Sequence, residues 1–400
     1  MRDGWSETAL GSVLKLSNKK LGPHKEEPEI FAISKYDGVV LAQDYFDRRI
    51  ASKSLDGYKV IGPGDWVYST IHIDEGSIAV NHFPFRGVVS PMYTSMIWNS
   101  HLHDYRFFEF LLKSDGALIR YQENAQGTVN RRRSLSWKAF SEMTFVVPPL
   151  DEQKRIVDVL SSVDAYINAL QQQADTARTA RNAVLHELLS AGGDDWTKTT
   201  LGDVLAIQSG FAFSTNDWAV EGYPVIKINN VRDGKVSTES CSFIADPIPQ
   251  GAEKFLLNTG DLLITLTGEI GATGIVDQTF PMYLNQRVGR VSIHKESKVL
   301  LQYLVVLFNY SPVRAEMWSL GKGNAQLNIS PKSIHEIEVN LPPLPEQRRI
   351  VGIVSSMDDV IQATEQAVLD AKNFRSGLLS DLLSGEHEIP ASYDSLLGAA

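Results

Sequence analysis

The feature that most constrains this chain is a long internal repeat. The segment 148–190 begins PPLDEQKRIVDVLSSVD and aligns without gaps to the segment 342–384, which begins PPLPEQRRIVGIVSSMD, at a constant offset of 194 residues with 20 of 43 positions identical. A weaker match lies outside these segments, because Trp5 reappears as Trp196. Self-similarity on this scale indicates one structural unit used twice. The chain therefore consists of two variable blocks, each followed by a near-copy of one segment.

Each repeated segment predicts one long helix. A Pro-Pro pair opens it, because proline is tolerated in a first turn, and a Glu-Gln pair follows where an acidic side chain suits the positive end of the helix dipole. Largely apolar residues then recur at alternating steps of four and three, from Ile156 to Leu188 and from Ile350 to Leu382. This spacing is a coiled-coil pattern. We therefore expect the two helices, each roughly 58 Å long for about 39 residues, to pack against each other antiparallel.

Two arginines on the same rung of this pattern, Arg181 and Arg375, leave two interpretations open. Either each lies at the edge of the seam with its stem buried and its guanidinium in water, or they form a polar layer that fixes the helix register or anchors a partner helix. Apolar side chains beside the seam exceed what a two-stranded coil can cover, so we expect a protein partner on the helices. The partner-binding candidates are Tyr166, Arg181, Leu185, Leu189, Val360, Arg375, Leu379 and Leu383.

The variable blocks have the pattern of mixed α/β domains, because short apolar runs alternate with Gly, Pro, Asn and Asp. We expect strands at 223–231 and 261–267 and a buried helix at 303–309. The predicted boundaries are 1–147 for the first domain, 148–193 for the first helix, 194–341 for the second domain, 342–386 for the second helix and 387–400 for a C-terminal tail.

Polar loops in the two blocks could contact a ligand. Residues 267–274 read TGEIGATG, a glycine-rich turn that allows close backbone approach, although a hairpin turn without a ligand has the same composition. The polar loop at 321–330 carries Lys322, Asn324, Gln326 and Asn328. Asn and Gln can pair with adenine and Lys with guanine or phosphate. The matching place in the first block carries Arg131, Arg132 and Arg133, so the two blocks differ where two reading domains with different preferences would differ.

Sequence motifs of catalysis are missing. No GxxxxGK[ST], GxSxG or HExxH motif occurs, and leucine follows each Pro-Pro pair, unlike the Asp/Asn-Pro-Pro-Tyr/Phe pattern of amino-methyltransferases. His101 and His103 have metal-ligand spacing on a strand, but no third ligand is evident, so a surface loop is favoured and no metal is expected. The single cysteine, Cys241, excludes an intramolecular disulfide. No apolar run approaches the ~20 residues of a membrane span, and we expect a cytoplasmic protein.

The two PPLxEQxRIV segments, each after an α/β block with a Ser-x-Lys motif at 136–138 or 330–332, resemble the specificity subunit of type I restriction-modification enzymes. The resemblance spans the chain from Trp5 to about Ser384. It implies an α+β fold, with two α/β target recognition domains separated by a long antiparallel two-helix coiled coil and related by a pseudo-two-fold internal repeat. It also implies that each domain reads one half of a bipartite DNA target, while the helices set the spacing and dock the methyltransferase subunits.

The resemblance also implies the partners. These are double-stranded DNA, two modification subunits that bind S-adenosylmethionine and methylate adenine, and restriction subunits with ATP-driven translocation. We expect this chain to be non-catalytic, with S-adenosylmethionine and ATP/Mg only on the partner subunits. Its net charge of −10 requires that any basic DNA-binding surface be local. The alternative is a helical scaffold that assembles partner enzymes and whose domains bind protein or another ligand instead of DNA.

The DNA-contact candidates lie in both blocks. In the first block they are Ser69, Thr70, His72, Arg131, Arg132, Arg133 and Lys138. In the second block they are Lys227, Asn229, Asn230, Arg232, Thr267, Glu269, Gln286, Arg287, Lys322, Asn324, Gln326 and Asn328. The first block departs from the glycine-rich turn of the second, because its residues 70–76 read TIHIDEG.

Overall fold

The computed structural model describes residues 4–23, 27–46, 54–125, 134–321 and 327–397. The chain divides into two units, the first made of residues 1–170 and 367–400 and the second of residues 171–366. Each unit therefore combines one variable block with parts of both repeated segments. Among the described residues, every helix is too short or too polar to span a lipid bilayer.

The first unit joins a mixed α/β domain to parts of two long helices. Its strands are β1 (Ser6–Ala9), β2 (Leu14–Ser17), β3 (Phe31–Ser34), β4 (Gly38–Leu41), β5 (Lys59–Ile61), β6 (Trp66–Ser69), β7 (Ile78–Val80), β8 (Gly87–Val89), β9 (Tyr93–Trp98) and β10 (Thr144–Val147). Its helices are α1 (Leu10–Val13), α2 (Ala42–Tyr45), α3 (Tyr105–Leu111), α4 (Asp115–Asn124), α5 (Trp137–Glu142) and the start of α6 (Leu150–Ser190). Strands β2, β9, β6 and β7 form an antiparallel sheet in that order.

The second unit repeats this plan with additional strands. Its strands are β11 (Thr197–Thr200), β12 (Leu205–Ser209), β13 (Trp218–Ala219), β14 (Tyr223–Ile226), β15 (Val231–Arg232), β16 (Gly234–Val236), β17 (Ser242–Ile244), β18 (Leu262–Thr265), β19 (Thr273–Ile275), β20 (Tyr283–Leu284), β21 (Val288–Ile293) and β22 (Glu338–Leu341). Its helices are α7 (Leu201–Val204), α8 (Leu301–Phe308), α9 (Ser311–Gly321), α10 (Pro331–His335) and the start of α11 (Leu344–Ser384). The main sheet has the order β12-β21-β18-β19-β16-β15.

Both units contain the same four-stranded antiparallel core. The order β12-β21-β18-β19 matches β2-β9-β6-β7, and in each sheet the last two strands form a hairpin. The predicted buried helix is confirmed as α8, whose apolar residues lie in the core. The predicted strand at 223–231 is shorter than expected: β14 ends at Ile226, because the Asn230 side chain accepts a hydrogen bond from the Lys227 N–H and closes a 3₁₀ turn at 228–230.

The two long helices pack in opposite directions within each unit. In the first unit Ile156, near the start of α6, shares an apolar cluster with Leu382, near the end of α11. In the second unit Leu185, near the end of α6, shares a cluster with Ile350, near the start of α11. Each such side chain contributes about 1.5–3 kcal/mol when fully buried. The predicted fold class, α/β recognition domains with a long antiparallel helix pair, is confirmed.

The chain after α11 folds back onto the first unit. Ile389 is buried and Tyr393 packs against the same cluster as the start of α6. A short helix, α12 (Asp394–Leu397), follows, and the Asp394 carboxylate lies 3.1 Å from an Arg155 Nη1. The described part of the tail therefore covers one side of α6.

Candidate nucleic-acid interface

A buried glutamine attaches each long helix to its unit. Gln153 Nε2 donates to the Pro148 carbonyl at 2.8 Å, and its Oε1 accepts the Asp104 N–H at 2.9 Å. Gln347 donates to the carbonyl of the matching proline at 2.8 Å and accepts the Leu300 N–H at 2.8 Å. Both glutamines are fully buried. Because an unsatisfied buried polar group costs about 1–3 kcal/mol, these bonds explain why the Pro-Pro and Gln positions recur together.

The serine of each Ser-x-Lys motif caps a helix. Ser136 Oγ accepts the Ala139 N–H at 3.3 Å at the start of α5, and Ser330 Oγ accepts the Ser333 N–H at 3.0 Å at the start of α10. A capping serine satisfies one of the backbone donors that a helix start leaves unpaired. The serine therefore has a structural role, whereas Lys138 is exposed on α5.

The glycine-rich turn of the second unit joins β18 to β19 and contacts residues 327–328 of the polar loop. Gly268 and Gly271 have φ angles of +73° and +83°, a region that favours glycine. The Gly268 N–H donates to the Leu327 carbonyl at 3.2 Å, and Thr267 Oγ1 lies 3.0 Å from Asn328 Oδ1. The turn is therefore fixed to residues 327–328.

Backbone hydrogen bonds link the start of this turn to the 285–287 loop, and that loop in turn to the end of β14. The Leu266 N–H donates to the Arg287 carbonyl at 3.0 Å, and the Asn285 N–H donates to the Ile226 carbonyl at 3.0 Å. Residues 227–230, 266–272, 285–287 and 327–328 thus form one continuous surface, called here the second loop surface. The exposed candidates on it are Asn229, Glu269, Gln286, Arg287 and Asn328.

Glu269 of this surface pairs with two arginines. Its carboxylate lies 3.4 Å from an Arg232 Nη2 and 3.2 Å from an Arg314 Nη2. Exposed ion pairs contribute only about 0–1 kcal/mol to stability. Their main consequence is electrostatic, because one carboxylate offsets part of the positive charge of two guanidinium groups.

Three DNA-contact candidates are buried, which corrects the prediction that they face DNA. Asn230 Oδ1 accepts the Lys227 N–H at 3.0 Å and Nδ2 donates to the Glu239 carbonyl at 3.3 Å, so this side chain shapes its own loop. Thr267 and Ser69 are buried at the ends of the hairpin strands. These residues support the loops instead of presenting polar groups at the surface.

Lys227 is held against the domain. Its Nζ lies 3.8 Å from the centroid of the Trp218 ring and 2.7 Å from Ser242 Oγ. Partial burial lowers the pKa of Lys227. Within the second loop surface, Lys227 therefore packs against neighbouring side chains of its own domain.

The first unit has a hairpin at the matching place. The Leu135 N–H donates to the Thr70 carbonyl at 2.9 Å, just as the Ile329 N–H donates to the Leu266 carbonyl at 2.9 Å in the second unit. Residues 69–77 and 134–135 form the corresponding first loop surface. One backbone bond therefore joins the hairpin to the chain beyond the variable loop in both units.

The side chains of the first loop surface differ from those of the second. His72 is exposed, and its Nδ1 lies 3.0 Å from Glu75 Oε1. Thr70 Oγ1 donates to the Met92 carbonyl at 3.1 Å. Gly76 has a φ angle of +94° and ends the 3₁₀ turn at 73–75. A histidine, a threonine and an acidic turn thus occupy the place of the glycine-rich turn.

The candidates that lie outside the described residues are Arg131, Arg132, Arg133, Lys322, Asn324 and Gln326. The described residues that follow them, 134–135 and 327–328, belong to the two loop surfaces.

The rung arginines form cross-helix ion pairs. Arg181 Nε and Nη2 donate to the two carboxylate oxygens of Asp358 at 2.8 Å and 3.2 Å, and the Arg181 side chain is 14% exposed. Arg375 makes the same two-bonded contact with Asp164, with one bond at 2.9 Å, and is 25% exposed. Asp164 and Asp358 occupy matching repeat positions. Of the two interpretations, the polar contact across the seam is favoured, although each arginine pairs with an aspartate and not with the other arginine.

The remaining partner-binding candidates differ in exposure. Tyr166 and Val360, which occupy matching positions in α6 and α11, are exposed apolar side chains. Leu185 is only 2% exposed and lies in the core of the second unit, so its prediction as a surface contact is corrected. The half-buried candidates are Leu189, Leu379 and Leu383.

The two histidines with metal-ligand spacing lie in a loop and not on a strand. His103 Nδ1 is 2.9 Å from Gln153 Nε2, and burial lowers the pKa of His103. The neighbouring Asp104 caps α3 by accepting the Arg106 N–H at 2.9 Å. The described part of the chain contains no group of three His, Cys, Asp or Glu side chains arranged to hold a metal.

Sequence reasoning missed the contacts that hold the repeat together. Gln153 and Asp164 are identical in the two copies, as Gln347 and Asp358, and this identity was the available signal. A contact between Tyr310 Oη and His186 Nδ1 at 3.0 Å has no such signal, because neither residue recurs.

Comparison with known proteins identifies the family. A protein-family model described as "Type I restriction modification DNA specificity domain" matches residues 3–177 and 193–371 of this chain. Each match covers one variable block and most of the helix after it, and together they span most of the chain. The chain therefore belongs to the DNA specificity proteins of type I restriction-modification systems, as the sequence motifs implied, and its role is DNA sequence specificity.

Individual relatives agree with this family. The specificity subunit of the MjaVIII type I restriction enzyme of Methanocaldococcus jannaschii is 25% identical over 321 residues, which cover 75% of this chain and 74% of the relative. A solved chain from a study of complex assembly and conformational transition of the type I restriction-modification system has a TM-score of 0.64 at 18% identity, covering 96% of this chain and 98% of that one. The S subunit from M. genitalium has a TM-score of 0.53 at 16% identity, covering 94% and 96%. At these identities the structures show a shared fold.

Proposed function

We propose that each unit reads one half of a bipartite DNA sequence through its own loop surface. The observation that carries this proposal is the same hairpin, fixed by the same backbone bond, bearing different side chains in the two units. Because the two hairpins share a backbone arrangement and differ in their polar side chains, they give two binding surfaces of similar shape and different base preference.

The second loop surface has the chemistry for direct base recognition. Asn229 and Gln286 carry exposed amides, which can pair in bidentate fashion with adenine in the major groove. Arg287 is exposed and can pair with guanine or contact a phosphate. On the first loop surface, His72 and Thr70 supply other donors and acceptors, and Lys138 can contact phosphate.

The paired helices would set the spacing between the half-sites and dock two modification subunits. The exposed apolar side chains Tyr166 and Val360 support this docking role, because matching positions on α6 and α11 offer one contact to each of two identical partners. Reading modules on one face of DNA address half-sites about one helical turn, ~34 Å, apart.

In this proposal the chain itself is non-catalytic and holds no cofactor. S-adenosylmethionine would bind the modification subunits, which methylate adenine, and ATP/Mg would bind restriction subunits that join the complex. The acidic balance of the chain, −10, leads us to expect modest DNA affinity for the isolated chain, with further phosphate contacts from the modification subunits.

The proposal is tested by selecting DNA from a random pool with the chain assembled with its modification subunits, at several salt concentrations. We expect enrichment of two short fixed motifs separated by a constant gap, and affinity that falls with salt. An unenriched pool together with a flat salt response would contradict DNA reading and favour a scaffold that binds other ligands.

A further inference from the structure

The first unit contains a groove between the end of α11 and the start of α4. It has a volume of about 490 Å³, and its lining includes Lys113, Ser114, Arg120, Leu379, Ser380 and Leu383. The lining combines leucines and serines with three cations, Lys113, Arg120 and Arg375, and one carboxylate, Asp115. Arg375 is already paired with Asp164 across the helices. The groove lies within the first unit and shares no residue with the first loop surface.

In the second unit an aromatic side chain fills the matching place. Helices α4 and α9 begin at Asp115 and Ser311, an offset of 196 residues, so Ser114 before α4 corresponds to Tyr310 before α9. In the repeated segments Ser380 corresponds to His186 at the offset of 194. The Tyr310 and His186 rings lie 5.9 Å apart, and their polar atoms are 3.0 Å apart. Leu185 is buried in the apolar cluster against which Tyr310 packs, whereas its counterpart Leu379 remains half-buried. The second unit thus shows that an aromatic ring fits on this face of the helix.

The charges of Lys113 and Arg120 are specific to the first unit. Lys113 corresponds to Asn309 and Arg120 to Glu316 in the second unit. Neither Lys113 nor Arg120 forms an ion pair with another described residue. The Arg120 guanidinium donates a hydrogen bond to the Thr144 carbonyl and lies 4.7 Å from the centroid of the Phe145 ring. Burial lowers the pKa of Lys113, and the carboxylates of Glu109 and Asp37 offset this effect only in part. A further carboxylate brought close to Lys113 would offset more of the cost of its desolvation.

We propose that this groove is a docking site for a segment of a partner protein that carries an aromatic side chain beside carboxylates. The ring occupies the place that Tyr310 fills in the second unit, over Leu379 and between the two serines. The carboxylates face Lys113 and Arg120. Because the second unit closes its own site with Tyr310 and has Asn309 and Glu316 in place of Lys113 and Arg120, the chain binds one such segment through this site.

The test uses the full chain and two synthetic peptides, acetyl-Glu-Tyr-Glu-amide and acetyl-Glu-Ala-Glu-amide, in a calorimetric titration. We expect the tyrosine peptide to bind at least tenfold more tightly than the alanine peptide, at one site per chain. Ser380→Tyr, which fills the groove from an exposed helix position, should remove this preference. Gln362→Tyr, an exposed substitution on the same helix outside the groove, should leave it unchanged.

A charge variant tests the second half of the proposal. Lys113→Gln should weaken the Glu-Tyr-Glu peptide about tenfold, with little effect on a Gln-Tyr-Gln peptide. Equal binding of the tyrosine and alanine peptides, or full affinity in Ser380→Tyr, would overturn the proposal. If free 4-hydroxyphenylacetate bound as tightly as the Glu-Tyr-Glu peptide, the proposal that a protein segment occupies the groove would be wrong. Self-association of the chain that Ser380→Tyr abolishes would also contradict it, because the occupant would then be a second copy of this chain.

Discussion

The two units of this chain share their internal attachments and differ at their loop surfaces. Gln153 and Gln347 make the same buried contacts, and the Arg181–Asp358 pair repeats the Arg375–Asp164 pair. The hairpins of the two sheets, in contrast, present TIHIDEG at 70–76 and TGEIGATG at 267–274. The duplicated sequence therefore corresponds to the contacts that hold domain and helix together, and sequence difference is concentrated where DNA would be read.

This difference separates two kinds of residue by what their loss should change. Residues of the shared attachments should affect the stability of one unit without changing base preference. Residues of the loop surfaces should change DNA binding with little effect on folding, because they are exposed and make few contacts within the domain.

The largest stability effect should come from the buried glutamines. Gln153→Ala should destabilise the first unit by about 3 kcal/mol, because it leaves the Asp104 N–H and the Pro148 carbonyl without a partner in a buried site. Gln347→Ala should do the same to the second unit. Hydrogen exchange of the strand amides, resolved by unit, measures each effect.

The exposed α6 residue Gln172 provides a control for loss of a glutamine from the same helix. Gln172→Ala should leave exchange unchanged in both units. Equal acceleration of hydrogen exchange in both units by Gln153→Ala would contradict the claim that each glutamine stabilises its own unit.

A smaller effect is expected for the cross-helix ion pairs. Asp358→Ala should destabilise the second unit by about 1–2 kcal/mol, because the Arg181 guanidinium is mostly buried and loses two charge-assisted hydrogen bonds. A double-mutant cycle with Arg181→Ala, measured by chemical unfolding, should give a coupling energy of about 1 kcal/mol. Zero coupling would show that the pair has no role in the helix register.

The smallest effect concerns Glu269 of the second loop surface, whose carboxylate pairs with Arg232 and Arg314. Glu269→Gln should strengthen binding to DNA of unrelated sequence by less than about tenfold and steepen its salt dependence by about 0.9 for each arginine that gains a phosphate contact. Binding titrations at several salt concentrations measure both quantities.

Glu296 is an exposed glutamate that follows β21, whereas the 285–287 loop of the second loop surface precedes this strand. Glu296→Gln makes the same change of charge there and is the matched control. We expect Glu296→Gln to change the DNA affinity and the salt dependence less than Glu269→Gln does. Identical behaviour of the two variants would reduce the role of Glu269 to net charge alone.

The sequence predicted the parts of the fold that depend on periodicity and repetition. The apolar spacing from Ile156 to Leu188 predicted the long helix, and the apolar run at 303–309 predicted α8. Both signals are local, since a helix pattern is read from neighbouring residues. The strand at 223–231 was predicted too long, because the capping contact of Asn230 with Lys227 ends it after Ile226.

The candidate site was less predictable, because burial depends on residues distant in sequence. Gln286, Thr267 and Asn230 are all polar, so residue type alone did not predict that Gln286 is exposed and the other two are buried. The partners of Arg181 and Arg375 also lie on the opposite helix, where sequence spacing within one helix gives no information.

The central claim is that the two loop surfaces read opposite halves of one target, and the most direct measurement is motif selection with a pair of matched variants. Gln286→Ala with Arg287→Gln alters the second loop surface, and Thr70→Ala with His72→Ala alters the first. We expect each variant complex to select DNA in which one half-site is relaxed, with the other half-site and the gap retained, and the relaxed half to be opposite in the two variants. Relaxation of the same half, or of both halves together, in the two variants would contradict the account.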